Sequence, residues 1–155
     1  MSVAFRRECD EEHLEPKFEL PIPPGPNLVT SRGFDHIQAR HDEIEARLAT
    51  DLTEDERKKV LRDARYWRHQ LASAQLSPLP DGATVAIGTR VTIDRGGQRR
   101  TLEIVGHDES DPVADRIAFS APLARALLGA EAGEDVDLPG APDPITVVAI
   151  AVRQP

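Results

Sequence analysis

Two acidic segments and one basic run hold the side chains in this 155-residue chain whose kind and arrangement suit them to chemistry. Asp51-Leu52-Thr53-Glu54-Asp55 carries carboxylates, the hard oxygen donors that Mg²⁺ takes. A turn between helices collects the same residue types, and Thr53 with Glu56 spells a capping box, so capping accounts for them as well. The run GHDESD brings Asp108, Glu109 and Asp111 close together. It has no further donors at metal-ligand spacing and reads as a turn. Arg57, Lys58, Lys59, Arg62, Arg65 and Arg68 form the basic run. It can meet RNA, or it is a solvated face paired with Glu45 and Asp63 at helical spacing. Cys9 is the single cysteine, which leaves no disulfide framework and no thiolate metal site.

Charge narrows the partners. Residues 1–27 hold three basic and six acidic side chains, 28–77 nine and nine, and 78–155 seven and twelve, for a net charge of -8. Such a surface is repelled by duplex phosphates, so a protein partner is expected and autonomous DNA binding is not. No apolar run approaches the ~20 residues of a membrane span, and acids stand where a signal peptide has basic and apolar regions. The expectation is a cytoplasmic monomer without a membrane partner.

Three segments must position these groups. Residues 1–27 have no sustained period and finish in PIPPGPN, which predicts a flexible tail and a stiff linker. Residues 28–77 predict a hairpin. Phe34, Ile37, His41, Ile44 and Leu48 form one helical stripe within 31–50, and Val60, Ala64, Trp67, Leu71 and Ala74 form a second. Two helices with so short a break run antiparallel as a short coiled coil. Thr53 and Glu56 start the second helix and Pro78 and Pro80 stop it. His41, on the buried stripe, is expected as a hydrogen-bonded core histidine or a register-setting polar residue.

Residues 78–155 predict strands at 85–94 and 101–105 around a Gly96-Gly97 turn, then at 116–119, 136–138 and 145–152. One short helix, 122–128, begins at Pro122 and ends at Gly129. The fold class is therefore α+β, a helical hairpin followed by an antiparallel sheet packed on one short helix.

Several runs of this C-terminal part, VAIGTRVTI (85–93), EIVGHDESD (103–111), SAPLARALLG (120–129) and AGEDVDL (132–138), resemble in order the C-terminal domain of the GreA/GreB transcript cleavage factors. Leu28-Val29-Thr30-x-x-Gly33-Phe34 and ARYWRHQLASAQL (64–76) resemble the opening and close of that family's hairpin. The resemblance implies an FKBP-like sheet domain that binds RNA polymerase at the rim of its secondary channel. Asp108, Glu109, Ser120, Pro122 and Arg125 stand as candidate contacts there. Phe119 is the only aromatic residue of the sheet part, which argues against a prolyl isomerase pocket.

The resemblance also implies a non-enzymatic factor that reaches its hairpin into the polymerase. Asp51 and Glu54 match the family's paired tip acids, which help hold a second Mg²⁺ shared with the polymerase active site; no cofactor is expected to be bound stably. Arg57, Lys58, Lys59 and Arg62 would lie near nascent RNA or the channel wall. The family's helices run two to four turns longer, so this tip would stop roughly 10 to 20 Å short in the usual docking. Rnk-type regulators, which occupy the channel without stimulating cleavage, have a similarly short hairpin. A generic protein-interaction module is the third reading.

Overall fold

The computed structural model describes residues 19–152. The expected tail falls outside that range up to residue 18, and Cys9 with it. The described chain starts at Glu19 and enters its first strand, β1 (Asn27–Val29). Two helices follow, α1 (Ser31–Leu48) and α2 (Glu54–Ser73), and they pack side by side as the two stripes require. Ile44, Val60 and Ala64 form the buried seam, with Leu48, Leu52 and Trp67 packed against it. Ile37 is also fully buried.

Capping sets where both helices begin. The Thr30 hydroxyl accepts from the Gly33 amide at 3.0 Å and starts α1. In α2 the expected capping box is present: the Glu56 amide donates to Thr53 Oγ1 at 3.2 Å, and the Thr53 amide donates to Glu56 Oε2 at 3.4 Å. Each such bond satisfies an amide that has no partner inside its helix.

The close of α2 differs from the expectation. The helix ends at Ser73, well before the prolines, because residues 74–76 turn extended and become β2 (Ala74–Leu76). This strand pairs in parallel with β1, Asn27 opposite Ala74 and Val29 opposite Leu76. The Asn27 amide group donates to the Gln70 carbonyl at 3.0 Å, meeting one of the acceptors that a helix leaves open at its C-terminal end. Local propensity lost here to a pairing with a strand more than forty positions away.

His41 also departs from its expected place. Its side chain is 24% exposed and lies between Asp42 and Glu45, with Nδ1 3.0 Å from Asp42 Oδ1 and Nε2 3.5 Å from Glu45 Oε1. It sits at the border of the seam, where acidic neighbours accept its polar ring, and not inside it.

The second layer is a five-stranded sheet in the order β5-β4-β3-β7-β6. Its strands are β3 (Thr89–Arg95), β4 (Gln98–Val105), β5 (Arg116–Ala118), β6 (Asp135–Val136) and β7 (Ile145–Val152). Gly96 and Gly97, both at positive φ, make the two-residue turn that joins β3 to β4. All neighbours run antiparallel except β4 and β5, which run parallel because the chain between them crosses over in two 3-10 turns, His107–Glu109 and Pro112–Ala114. Helix α3 (Pro122–Leu127) lays Ala124 and Leu127 on the sheet. Val91, Leu102, Ile104, Ile145 and Val147 complete that core. The molecule is thus α+β, with one small core in the hairpin and a larger one under the sheet.

Candidate functional site

The hairpin has two ends, and the sequence places charged groups at both. At the free end α1 closes on Ala49, whose backbone still has helical angles, and the Thr50 hydroxyl donates to the Arg47 carbonyl at 2.7 Å. Leu52 packs back onto the seam, which anchors the turn between the helices. On either side of it Asp51 and Glu54 are exposed, and neither carboxylate has a hydrogen-bond or ion-pair partner among the described residues. Thr53 and Glu56 take the capping work, so Asp51 and Glu54 are left available. Among the described residues no three His, Cys, Asp or Glu side chains come together to hold a metal ion. Carboxylates are hard oxygen donors of the kind Mg²⁺ takes, and an octahedral shell needs more oxygens than Asp51 and Glu54 carry.

The tip acids stand far from the other end. An 18-residue helix rises about 27 Å from its base to its tip. At that base the hairpin is bonded to the turn His107–Glu109. Asp108 accepts hydrogen bonds from the Tyr66 hydroxyl and, at 2.6 Å, from Gln70 Nε2; Glu109 accepts from the Thr30 hydroxyl at 2.5 Å. Glu109 is buried and so is Gln70. Loss of water around Tyr66, then the hydrogen bond and the negative charge of Asp108, raise the Tyr66 hydroxyl well above the ordinary phenol range. Two glycines permit the close fit. A Cβ on Gly33 would stand 2.8 Å from Glu109 Oε1, and one on Gly106 would stand 2.5 Å from the Leu28 carbonyl oxygen.

This base is the part that sequence reasoning missed. The sequence marks Asp108 and Glu109 as candidate polymerase contacts, and the structure gives both of them partners on the hairpin. A signal was present in Tyr66 and Gln70, polar groups one helical turn apart on α2, but no local rule says which loop they meet. Ser120, Pro122 and Arg125 are exposed. Ser120 Oγ is 3.3 Å from His107 Nδ1, which connects that surface to the same turn.

The basic run divides into paired and open members. Arg68 pairs with Glu45 across the hairpin at 2.5 Å, which pulls the Glu45 carboxyl below its ordinary range and pushes the Arg68 guanidinium up. Arg65 pairs with Glu19. Arg57, Lys58 and Lys59 are exposed, and with Arg62 they continue the face toward the tip.

Residues 80–153 match the family model described as "Transcription elongation factor, GreA/GreB, C-term". A transcription elongation factor GreA of Maricaulis maris is 33% identical over 110 residues, covering 62% of this chain and 70% of that protein. A second, from Thermomicrobium roseum, is 45% identical over 58 residues, and there the match spans 37% of each chain. The crystal structure of GreA factor homolog 1 from Thermus thermophilus overlays with a TM-score of 0.40 at 18% identity, covering 82% of this chain and 99% of that one.

Proposed function

Because the chain belongs to the GreA/GreB family of transcription elongation factors, we propose that it docks on RNA polymerase through the sheet and presents the hairpin tip to the polymerase interior through the secondary channel. It is a factor and not an enzyme, and the chemistry it influences is the polymerase's own. The observation that carries this reading is the tip: two exposed carboxylates, Asp51 and Glu54, without partners among the described residues, on a turn held by a capping box. When bound, Mg²⁺ supplies Lewis-acid activation of water at a phosphodiester. The chain's part is to keep two hard oxygen donors at a fixed distance from the docking surface. The base bonds from Asp108 and Glu109 support that, since a hairpin able to swing at its root could not aim its tip. Ser120, Pro122 and Arg125 are the proposed polymerase contacts, and Arg57, Lys58, Lys59 and Arg62 the proposed neighbours of nascent RNA or the channel wall.

A second reading stands beside the first, in which the hairpin occupies the channel without assisting cleavage. Helices of 18 and 20 residues give a reach of about 27 to 30 Å. A carboxylate has to approach Mg²⁺ to about 2 Å, so a tip that stops short occupies the channel without assisting cleavage. The double variant Asp51→Ala, Glu54→Ala separates the two, assayed for RNA cleavage in backtracked complexes and independently for polymerase binding. Cleavage stimulated by the unaltered protein and lost in the variant, with binding retained, supports the metal-assisting role. Binding without stimulation by the unaltered protein leaves channel occupancy. Absence of polymerase binding overturns both.

A further inference from the structure

Helix α2 carries a hollow of about 550 Å³ on its outer face, lined by Lys58, Lys59, Leu61, Arg62 and Arg65, with Asp55 and Glu19 as its acids. Glu19 is the first described residue, and it is already seated: Arg65 donates to its carboxylate from both Nε, at 3.2 Å, and Nη2. The hydrogen bond from Arg65 holds the Glu19 carboxyl below the usual carboxylate range, with further pull from the charges of Arg65 and Arg62. Arg62 Nε is a buried donor with no hydrogen-bond partner among the described residues. A buried N–H left in that state is costly, so the site calls for an acceptor. The segment that leads into Glu19 is rich in acceptors, Glu8, Asp10, Glu11, Glu12 and Glu15, with no Lys or Arg and a single histidine, His13, between Arg7 and Lys17.

We propose that this hollow is a docking site for the chain's own acidic N-terminal segment, residues 8–19, which covers Lys58, Lys59 and Arg62 and excludes outside polyanions from them. Reach permits it. Lys58 and Arg65 are seven helical positions apart, about 10 Å, while the four positions from Glu19 back to Glu15 span up to about 13 Å when extended. Charge favours it, because carboxylate and guanidinium pairs form short, directional bonds and the acids outnumber the bases along the segment. The contact is electrostatic and therefore sensitive to salt. It goes beyond the polymerase reading: the segment would have to leave before the same cations could face RNA.

Cys9, the single cysteine, lies within the acidic segment and provides the probe. With a nitroxide attached there, the amide resonances of Lys58, Lys59 and Arg62 in the full chain should be strongly broadened at low salt. They should recover in about 1 M salt, where the Debye length falls to about 3 Å. They should also recover when Glu8→Gln, Asp10→Asn, Glu11→Gln, Glu12→Gln and Glu15→Gln are introduced together. Broadening spread evenly over the chain, or unchanged by the five substitutions, overturns the proposal. Titration with a short uridine oligonucleotide distinguishes an occupied hollow from an open one. Neutralising the segment should tighten oligonucleotide binding several-fold, and equal affinity in the two proteins overturns the proposal.

Discussion

The Tyr66 hydroxyl donates a hydrogen bond to the Asp108 carboxylate across 42 positions of sequence, and with it the second helix of the hairpin is tied to the turn that crosses over the sheet. Gln70, one turn along, donates to the other oxygen of the same carboxylate. The Asp108 side chain thus spans two donors on one helix face, which fixes the azimuth of the hairpin as well as its distance.

That relationship sets a pH dependence. A phenol whose ionisation is raised in the folded chain contributes stability that is fully present below its unfolded value, about 10, and is lost as pH rises toward the folded value. Tyr66 is the only tyrosine, so tyrosinate absorbance should show a single titration with a midpoint above that of free tyrosine. Stability against urea should fall between pH 10 and the onset of alkaline unfolding, and Tyr66→Phe should remove that part of the dependence. A midpoint at the free value means that the bond to Asp108 is not formed in solution.

Gly106→Ala should destabilise the joint by about 1 to 3 kcal/mol, the usual cost of forcing atoms into a packed site. The obstruction is the Leu28 carbonyl, which belongs to β1 and cannot rotate away as a side chain does. Gly33→Ala meets the Glu109 carboxylate instead, which has freedom to shift, and should cost less. Urea midpoints of the two variants should rank in that order.

Trp67→Ala should lower the stability of the hairpin by about 2 to 3 kcal/mol, below the ~3 to 5 typical of a fully buried Trp. The ring is only half-buried, although it packs on the seam and meets His36 edge-on at 6.0 Å and Tyr66 at 5.0 Å, with Arg40 5.6 Å from its centroid. The helical circular dichroism signal should melt at lower urea. A midpoint identical to that of the unaltered protein contradicts the packing.

Thr53→Ala removes the hydroxyl that starts α2 and should cost about 1 kcal/mol. The loss should be local. Amide exchange should quicken at Glu54 to Glu56 and stay unchanged at the β3 and β7 strands. If the tip acids assist cleavage, stimulation should fall while polymerase binding holds.

The sequence by itself determined what its local patterns encode. Stripes at helical spacing placed both helices, Thr53 and Glu56 placed the capping box, and Gly96-Gly97 placed a turn between two strands, because each depends on neighbours within a few positions. It also singled out Asp51 and Glu54 as tip residues, and the structure leaves them exposed where that reading put them. Only the tertiary structure decided the rest. Ala74–Leu76 continues a helical stripe in sequence yet becomes a strand, since pairing with Asn27–Val29 outweighs a single extra helical turn. Asp108 and Glu109 look like free acids of a surface turn, and they become the root of the hairpin because Tyr66, Gln70 and Thr30, 38 to 79 positions away, arrive beside them on folding. A carboxylate looks the same in sequence whether it faces water, a cap or a distant hydroxyl. Packing alone selects its partner.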